Sequence, residues 1–203
     1  MKILAIRLKN LASLAGPFEI DFTAEPLASA GLFAITGPTG AGKSTLLDAL
    51  CLALFGAVPR LGDTGQAKMP DADSDISIGD PRTLIRRGTG GGYAEVDFVG
   101  VNGRRYRARW EANRARDKAS GKLQNSRQSL IDLDSDQLLA SQKTEYKTQL
   151  ELALGLNFEQ FTRAVLLAQS EFSAFLKAND NERSELLEKL TDTALYTLSL
   201  IHI

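Results

Sequence analysis

Residues Gly37, Pro38, Thr39, Gly40, Ala41, Gly42, Lys43 and Ser44 spell a complete G-x-x-x-x-G-K-[ST] loop. Its chemistry is the cradling of a polyphosphate. Glycines at the two ends permit backbone conformations and close approaches that a Cβ forbids, so successive N–H groups can turn inward around phosphate oxygens. Lys43 offers a point charge for the β- and γ-phosphates, and Ser44 a hydroxyl for Mg²⁺. The candidate nucleotide contacts therefore run from Gly37 to Thr45, with ATP and Mg²⁺ as the expected cofactors. Two elements must position such a loop. The apolar run 31–36 predicts a buried strand before it, and residues 44–55 predict a helix after it, closed by Gly56.

The bulk properties fit this chemistry and exclude other classes. The chain has 203 residues, 43% hydrophobic and 24% charged, with formal net charge −1. The opening Lys2–Arg7 meets a charge too soon for a signal peptide, and the most apolar region, 46–58, is interrupted by Asp48. No membrane partner and a cytoplasmic, reducing compartment are expected. The single cysteine, Cys51, falls inside the predicted helix and reads as a packed residue; the single histidine, His202, receives no role. Charge is unevenly distributed. Residues 82–127 contain twelve Lys/Arg against four acids, a local +8 that leaves −9 elsewhere. An excess of that size points to a polyanion, nucleic acid first.

Strand signals precede and follow the loop. Leu4, Ile6 and Leu8 alternate in one segment and Phe18, Ile20 and Phe22 in another, with Gly16-Pro17 between them, so an antiparallel pair is expected. Residues 59–81, rich in Gly, Asp, Ser and Pro, read as a long mobile surface loop. Residues 93–111 read as a hairpin whose register can be derived. A two-residue Asn102-Gly103 turn would set Phe98 across from Arg107 and mix the faces. A three-residue loop, 101–103, sets Phe98 across from Tyr106, Val96 from Ala108, Asp97 from Arg107 and Glu95 from Arg109. That register neutralises two of the basic residues locally. Residues 114–127 read instead as a flexible basic loop, with Arg114, Arg116, Lys118 and Lys122 as candidate DNA contacts. A second hairpin is expected around residues 134–136, then a helix over 144–154 stopped by Gly155. Asn157 and Gln160 form a capping box for the next helix, and a charged helix begins near Asn179.

Nucleotide hydrolysis needs an acid at the end of an apolar strand. The nearest candidate, Asp132 in 130–134, has too few apolar residues ahead of it and reads as part of a surface hairpin. Gln169 directly follows the apolar run 165–168. With these elements in order, the chain resembles the N-terminal ATPase segment of the SbcC family, bacterial members of the Rad/SMC-type ABC ATPases. The likeness is carried by the opening Lys2–Leu11, by 31–49, by Pro59-Arg60-Leu61, by 161–176 and by 182–191, and extends to about Tyr196.

The resemblance implies an α/β P-loop NTPase fold: the N-terminal lobe of an ABC-ATPase head, with a mixed sheet containing antiparallel strands, truncated before a coiled coil. Residues 1–178 would form the lobe, with a basic hairpin and loop inserted at about 82–140, and 179–203 would start the ascending coiled-coil helix. Gln169 would be the Q-loop glutamine, acting in catalysis with Lys43 and touching Mg²⁺ with Ser44. Ser170 stands where the family often has glycine. Asn10 and Ser13 would border the nucleotide. The implied partners are an SbcD-type nuclease subunit, double-stranded DNA, a second head through bound ATP, and the chain's own C-terminal ATPase lobe. The signature motif, the Walker B acids and the switch histidine of that lobe are not in these 203 residues. The fragment alone is therefore expected to bind nucleotide without turning it over. Two rivals predict otherwise: a small P-loop kinase with Arg82, Arg86 and Arg87 as lid arginines, and a nucleic-acid module that nucleotide merely orders.

Overall fold

Alternation of apolar and polar residues produces one antiparallel sheet that carries the rest. The computed structural model describes residues 1–61, 67–71, 74–162 and 166, and divides into two units, Met1–Gly155 and Leu156–Ile203. In the first unit the chain runs through strands β1 (Lys2–Lys9) and β2 (Phe18–Asp21) and helix α1 (Lys43–Phe55). A small hairpin follows, β3 (Lys68–Asp71) and β4 (Ser74–Ser77), then β5 (Gly91–Val99), β6 (Arg105–Asn113), β7 (Arg127–Asp132), β8 (Gln137–Ala140) and helix α2 (Lys143–Leu154). Six strands form the main sheet in the order β2-β1-β5-β6-β7-β8. Of the second unit the described part is helix α3 (Phe158–Phe161), which opens with the expected capping box: Asn157 accepts from the Gln160 N–H while the Gln160 side chain accepts from that of Asn157. Among the described residues no helix is long and apolar enough to cross a membrane.

The hairpin register derived from the sequence is borne out. Phe98 faces Tyr106, Val96 faces Ala108, Asp97 faces Arg107 and Glu95 faces Arg109. The ladder closes at Gly100, whose N–H donates to Arg104, and the three-residue loop ends on Gly103 at φ 79°. One face of the sheet is the core. Leu8, Val96, Phe98, Ala108, Trp110 and Leu130 are all essentially inaccessible there. Each large side chain so buried contributes about 2–3 kcal/mol relative to exposure. Helix α1 lies over β1, β5 and β6, and α2 over β7 and β8. The Tyr146 hydroxyl of α2 donates to the carbonyls of Ala53 and Leu54 at 2.6 and 3.0 Å, satisfying acceptors in the last turn of α1. Cys51 is buried in α1 as expected, and burial pushes its thiol up to about 12. Asp48, buried on the same helix, meets Arg60 at 2.7 Å; burial raises its carboxyl pKa, against the pull of that guanidinium.

Three expectations change. The run 31–36 forms no strand among the described residues, and Leu32, Phe33 and Ile35 are 93%, 49% and 44% exposed. The run is apolar enough to be covered, but apolarity does not supply the strands that would cover it. Phe33 meets the ring of Phe22 at 5.5 Å between centroids. The region 59–81 is not a featureless loop: it contains a 3-10 turn at Pro59–Leu61 and the β3–β4 hairpin. A second 3-10 turn, Pro81–Leu84, is capped by Asp80, whose carboxylate accepts from the Arg82 N–H. Third, Phe18 on β2 is 42% exposed rather than inward-packed, because β2 is a sheet edge.

The opposite face of the sheet is an ion-pair lattice across four strands. Arg7 on β1 bridges Glu19 on β2 at 2.8 Å and both Glu95 and Asp97 on β5, at 3.2 and 2.8 Å. Arg107 on β6 grips Asp97 with two nitrogens, and Arg109 links Glu95 to Glu111. Burial raises the Asp97 carboxyl, but hydrogen bonds and charge from Arg107 and Arg7 outweigh it and hold the group below the usual carboxylate range. A carboxylate whose folded pKa is depressed adds stability that is complete above its unfolded value, about pH 4, and is lost as pH falls through the folded value. Asp97→Asn is expected to cost about 3 kcal/mol at neutral pH and to flatten the acid limb of the stability profile. Urea unfolding from pH 7 to pH 3 measures both, and an unchanged acid limb would show that Asp97 does not anchor the lattice.

Candidate functional site

Helix α1 begins with its N-terminus open. Its N-cap is Gly42, left-handed at φ 93° and ψ 11°, and among the described residues no side chain caps it. The Leu46 N–H makes the first helical bond back to the Gly42 carbonyl at 3.2 Å. The N–H groups of Lys43, Ser44 and Thr45 therefore have no intrahelical acceptor and lie at the positive end of the helix dipole. Upstream, the Ala41 N–H closes a turn onto the Pro38 carbonyl at 3.2 Å, and Gly37 and Gly40 also have positive φ. The Lys43 ammonium lies across this loop, donating to the carbonyls of Gly37 and Pro38 at 2.8 and 2.9 Å. Both carbonyls belong to the loop itself, so phosphate oxygens can compete for the same ammonium. Ser44 is exposed and Thr45 is buried, so the Ser44 hydroxyl can reach a cation while Thr45 offers its main chain. A polyphosphate with Mg²⁺ fits these donors.

The loop between β1 and β2 supplies a wall. A Cβ placed on Gly42 would lie 2.8 Å from Leu14 Cδ2 and 3.0 Å from Ser13 Oγ. Ser13 thus stands beside the phosphate loop. Asn10 is engaged elsewhere: its side-chain amide donates to the Gly91 carbonyl at 2.8 Å, beside a cavity of about 350 Å³ that also touches Lys9 and Tyr93. Sequence reasoning missed Leu14, and saw Arg86 only as a lid arginine of the kinase reading. The Arg86 guanidinium donates to the carbonyls of Ala12 and Ser13 at 3.0 and 2.8 Å. No spacing rule reports a side chain whose partners are main-chain carbonyls.

Other candidates separate. Asp132 is 1% exposed on β7, flanked by β6 and β8; it pairs with Arg104 and accepts from the N–H groups of Asp134 and Ser135. It is a hairpin residue, as the sequence suggested, but a buried one rather than a surface one, its carboxylate taken up by Arg104 and the turn amides. Arg82, a lid arginine in the kinase reading, is gripped by Asp80 at 2.6 Å. The basic segment 114–127 is not the flexible loop expected. It contains a 3-10 turn at Ala115–Asp117, a bond from the Ala115 N–H to the Lys122 carbonyl and a bridge between Arg114 and Leu123. Arg114 itself is 14% exposed and bound to Asp71 at 2.6 Å and to the Gly121 carbonyl at 2.8 Å, an anchor rather than a free phosphate contact. Arg116, Lys118, Lys122 and Arg127 are exposed. Of the twelve basic residues in 82–127, Arg82, Arg104, Arg105, Arg107, Arg109 and Arg114 are ion-paired, four of them to acids outside the stretch that suggested the excess. Gln169 and the helix expected from Asn179 lie outside the described residues.

An α/β body presenting a glycine-built anion cradle at a helix N-terminus defines a P-loop NTPase fold, and the chain belongs to the AAA domain family, whose model matches residues 5–202. Among individual proteins it is similar to the SbcC subunit of the SbcCD nuclease of Pseudomonas aeruginosa, 71% identical over 199 residues, covering 97% of this chain and 16% of that protein. The SbcC subunit of Rhodobacter capsulatus is 53% identical over 205 residues, covering 100% and 17%. A probable DNA double-strand break repair Rad50 ATPase of Aquifex aeolicus is 30% identical over 191 residues, covering 94% and 16%. The chain thus spans about one sixth of the length of these curated relatives.

Gly42→Ala combines a left-handed backbone with a collision at Leu14 and Ser13. It is expected to cost about 1–3 kcal/mol of stability and to weaken ATP binding at least tenfold. Denaturant unfolding and nucleotide titration of the purified variant measure the two losses.

Proposed function

We propose that the chain is the ATP-binding N-terminal part of a DNA-repair ABC ATPase that controls an associated nuclease. The observation that carries this reading is the uncapped N-terminus of α1, with Gly42 and Lys43 arranged around it. Lys43 would neutralise the β- and γ-phosphates, Ser44 would hold Mg²⁺, and Gln169 would reach the metal and the attacking water. The names of the relatives support the biological setting: a subunit of the SbcCD nuclease and a double-strand break repair ATPase. In the whole protein, two heads would close around ATP, and hydrolysis would govern the access of an SbcD-type nuclease subunit to double-stranded DNA ends and hairpins.

The exposed strip Leu32, Phe33 and Ile35, with Leu47 40% exposed on α1, supports one further assignment. This strip would pair with the C-terminal ATPase lobe of the same protein, which would also supply the remaining catalytic groups. The kinase reading loses support because two of its three lid arginines are already engaged, Arg82 with Asp80 and Arg86 with main-chain carbonyls.

Two experiments test this reading. Lys43→Ala in the full-length protein is expected to raise the dissociation constant of a fluorescent ATP analogue at least tenfold and to abolish phosphate release. Unchanged affinity would overturn the phosphate-loop assignment. Replacing Arg116, Lys118 and Lys122 with glutamine is expected to lower affinity for double-stranded DNA and to reduce the steepness of its salt dependence by up to about three counterions. Arg114→Gln should instead lower stability, because it breaks the ion pair with Asp71 and leaves that carboxylate to the Leu123 N–H and its weaker contacts. An unchanged salt slope in the triple variant would leave that loop merely solvated.

A further inference from the structure

The loop from Asn10 to Ala15 adopts a conformation that its sequence does not favour. Asn10 and Ala12 have φ of 53° and 44°; asparagine tolerates this left-handed backbone, but alanine keeps it only when its surroundings hold it there. The base of the loop is fixed by main-chain bonds. The Asn10 N–H donates to Ala15 at 3.2 Å, and Leu11 and Leu14 exchange bonds at 3.0 and 2.8 Å. The Ala12 N–H reaches the Leu84 carbonyl at 2.8 Å, and the Arg86 N–H reaches that of Asn10 at 2.9 Å. At the tip, the Arg86 Nη1 group is, among the described residues, the side-chain donor to the carbonyls of Ala12 and Ser13. Those carbonyls adjoin the side chains of Ser13 and Leu14, which stand against Gly42.

We infer that Arg86 is a positioning residue for nucleotide binding: by holding the Ala12 and Ser13 carbonyls it fixes the wall against which Gly42 presents the phosphate-binding amides. The inference rests on the reading that residues 37–44 hold a polyphosphate. Arg86 makes no ion pair with a carboxylate among the described residues, in contrast to Arg82, Arg107, Arg109 and Arg114. Among the described residues its partners are neutral carbonyls and no carboxylate meets its positive charge, at the tip of a loop that borders a site for a polyanion. It has two effects there, one geometric and one electrostatic, and both favour the bound nucleotide over the free protein.

The test uses the full-length protein with Arg86→Gln, Arg86→Lys and Lys43→Ala, reading affinity for a fluorescent ATP analogue, KM and kcat for hydrolysis, and nucleotide-free melting temperature. Arg86→Gln is expected to raise Kd and KM about tenfold with kcat within twofold and the melting temperature little changed. Arg86→Lys, which keeps the charge and one donor, should recover most of the loss. Should Arg86→Gln fail to fold, Leu14→Ala opens the same wall from the other side and is expected to raise Kd while Arg86 stays in place. If Lys43→Ala weakens binding while Arg86→Gln and Leu14→Ala do not, Arg86 has no positioning role. A loss that falls on kcat alone, or that lysine does not relieve, also overturns the inference. If Lys43→Ala itself leaves binding intact, the phosphate-loop reading fails first.

Discussion

A helix N-terminus that no side chain caps among the described residues is the constraint on which the rest of this molecule turns. Its N–H groups need an acceptor, and a buried or crowded end would have to supply one from the protein. Here Gly42 turns left-handed and hands those groups outward. That geometry admits no Cβ, because Ser13 and Leu14 press on the glycine from the neighbouring loop. The sheet exists, in functional terms, to keep that loop and that helix in register. Strand β1 ends where the loop begins, and α1 crosses β1, β5 and β6 through an apolar face that fixes its position.

The second organising feature is the treatment of charge. An arginine-rich stretch would ordinarily suggest a surface for nucleic acid. On the outer face of the sheet those arginines are instead locked to carboxylates on adjacent strands, with Glu95 and Asp97 each shared between two or more guanidinium groups. A lattice in which each cation meets an acid holds β2, β1, β5 and β6 edge to edge and presents little net field. Beyond Arg86 and Arg87, the positive surface that remains is narrower: Arg116, Lys118 and Lys122 on a turn whose base Arg114 ties to Asp71, with Arg127 at the start of β7.

How much of this was legible in the sequence depended on whether a signal was local. The β5–β6 register could be derived because alternation fixed the faces and Gly103 fixed the turn. The caps at Gly56, Gly155 and Asn157 were legible for the same reason, since a helix end is decided by a few adjacent residues. The run 31–36 misled because apolarity says only that a segment is suited to burial, not that its covering strands lie nearby in the chain. Arg114 misled because its partner, Asp71, is 43 residues away. Arg86 was invisible as a strut because carbonyl acceptors carry no residue identity. At the candidate site, then, the cradle could be read from residue types, while the wall that holds it required the fold.

Hydrogen exchange of the peptide covering residues 36–46 in the whole protein tests the central claim most directly. Mg·ATP and inorganic pyrophosphate should both slow exchange of the amides from Gly40 to Thr45, and adenosine should not. Protection that adenosine reproduces, or that appears elsewhere while these amides exchange unchanged, would contradict a polyphosphate held at the N-terminus of α1.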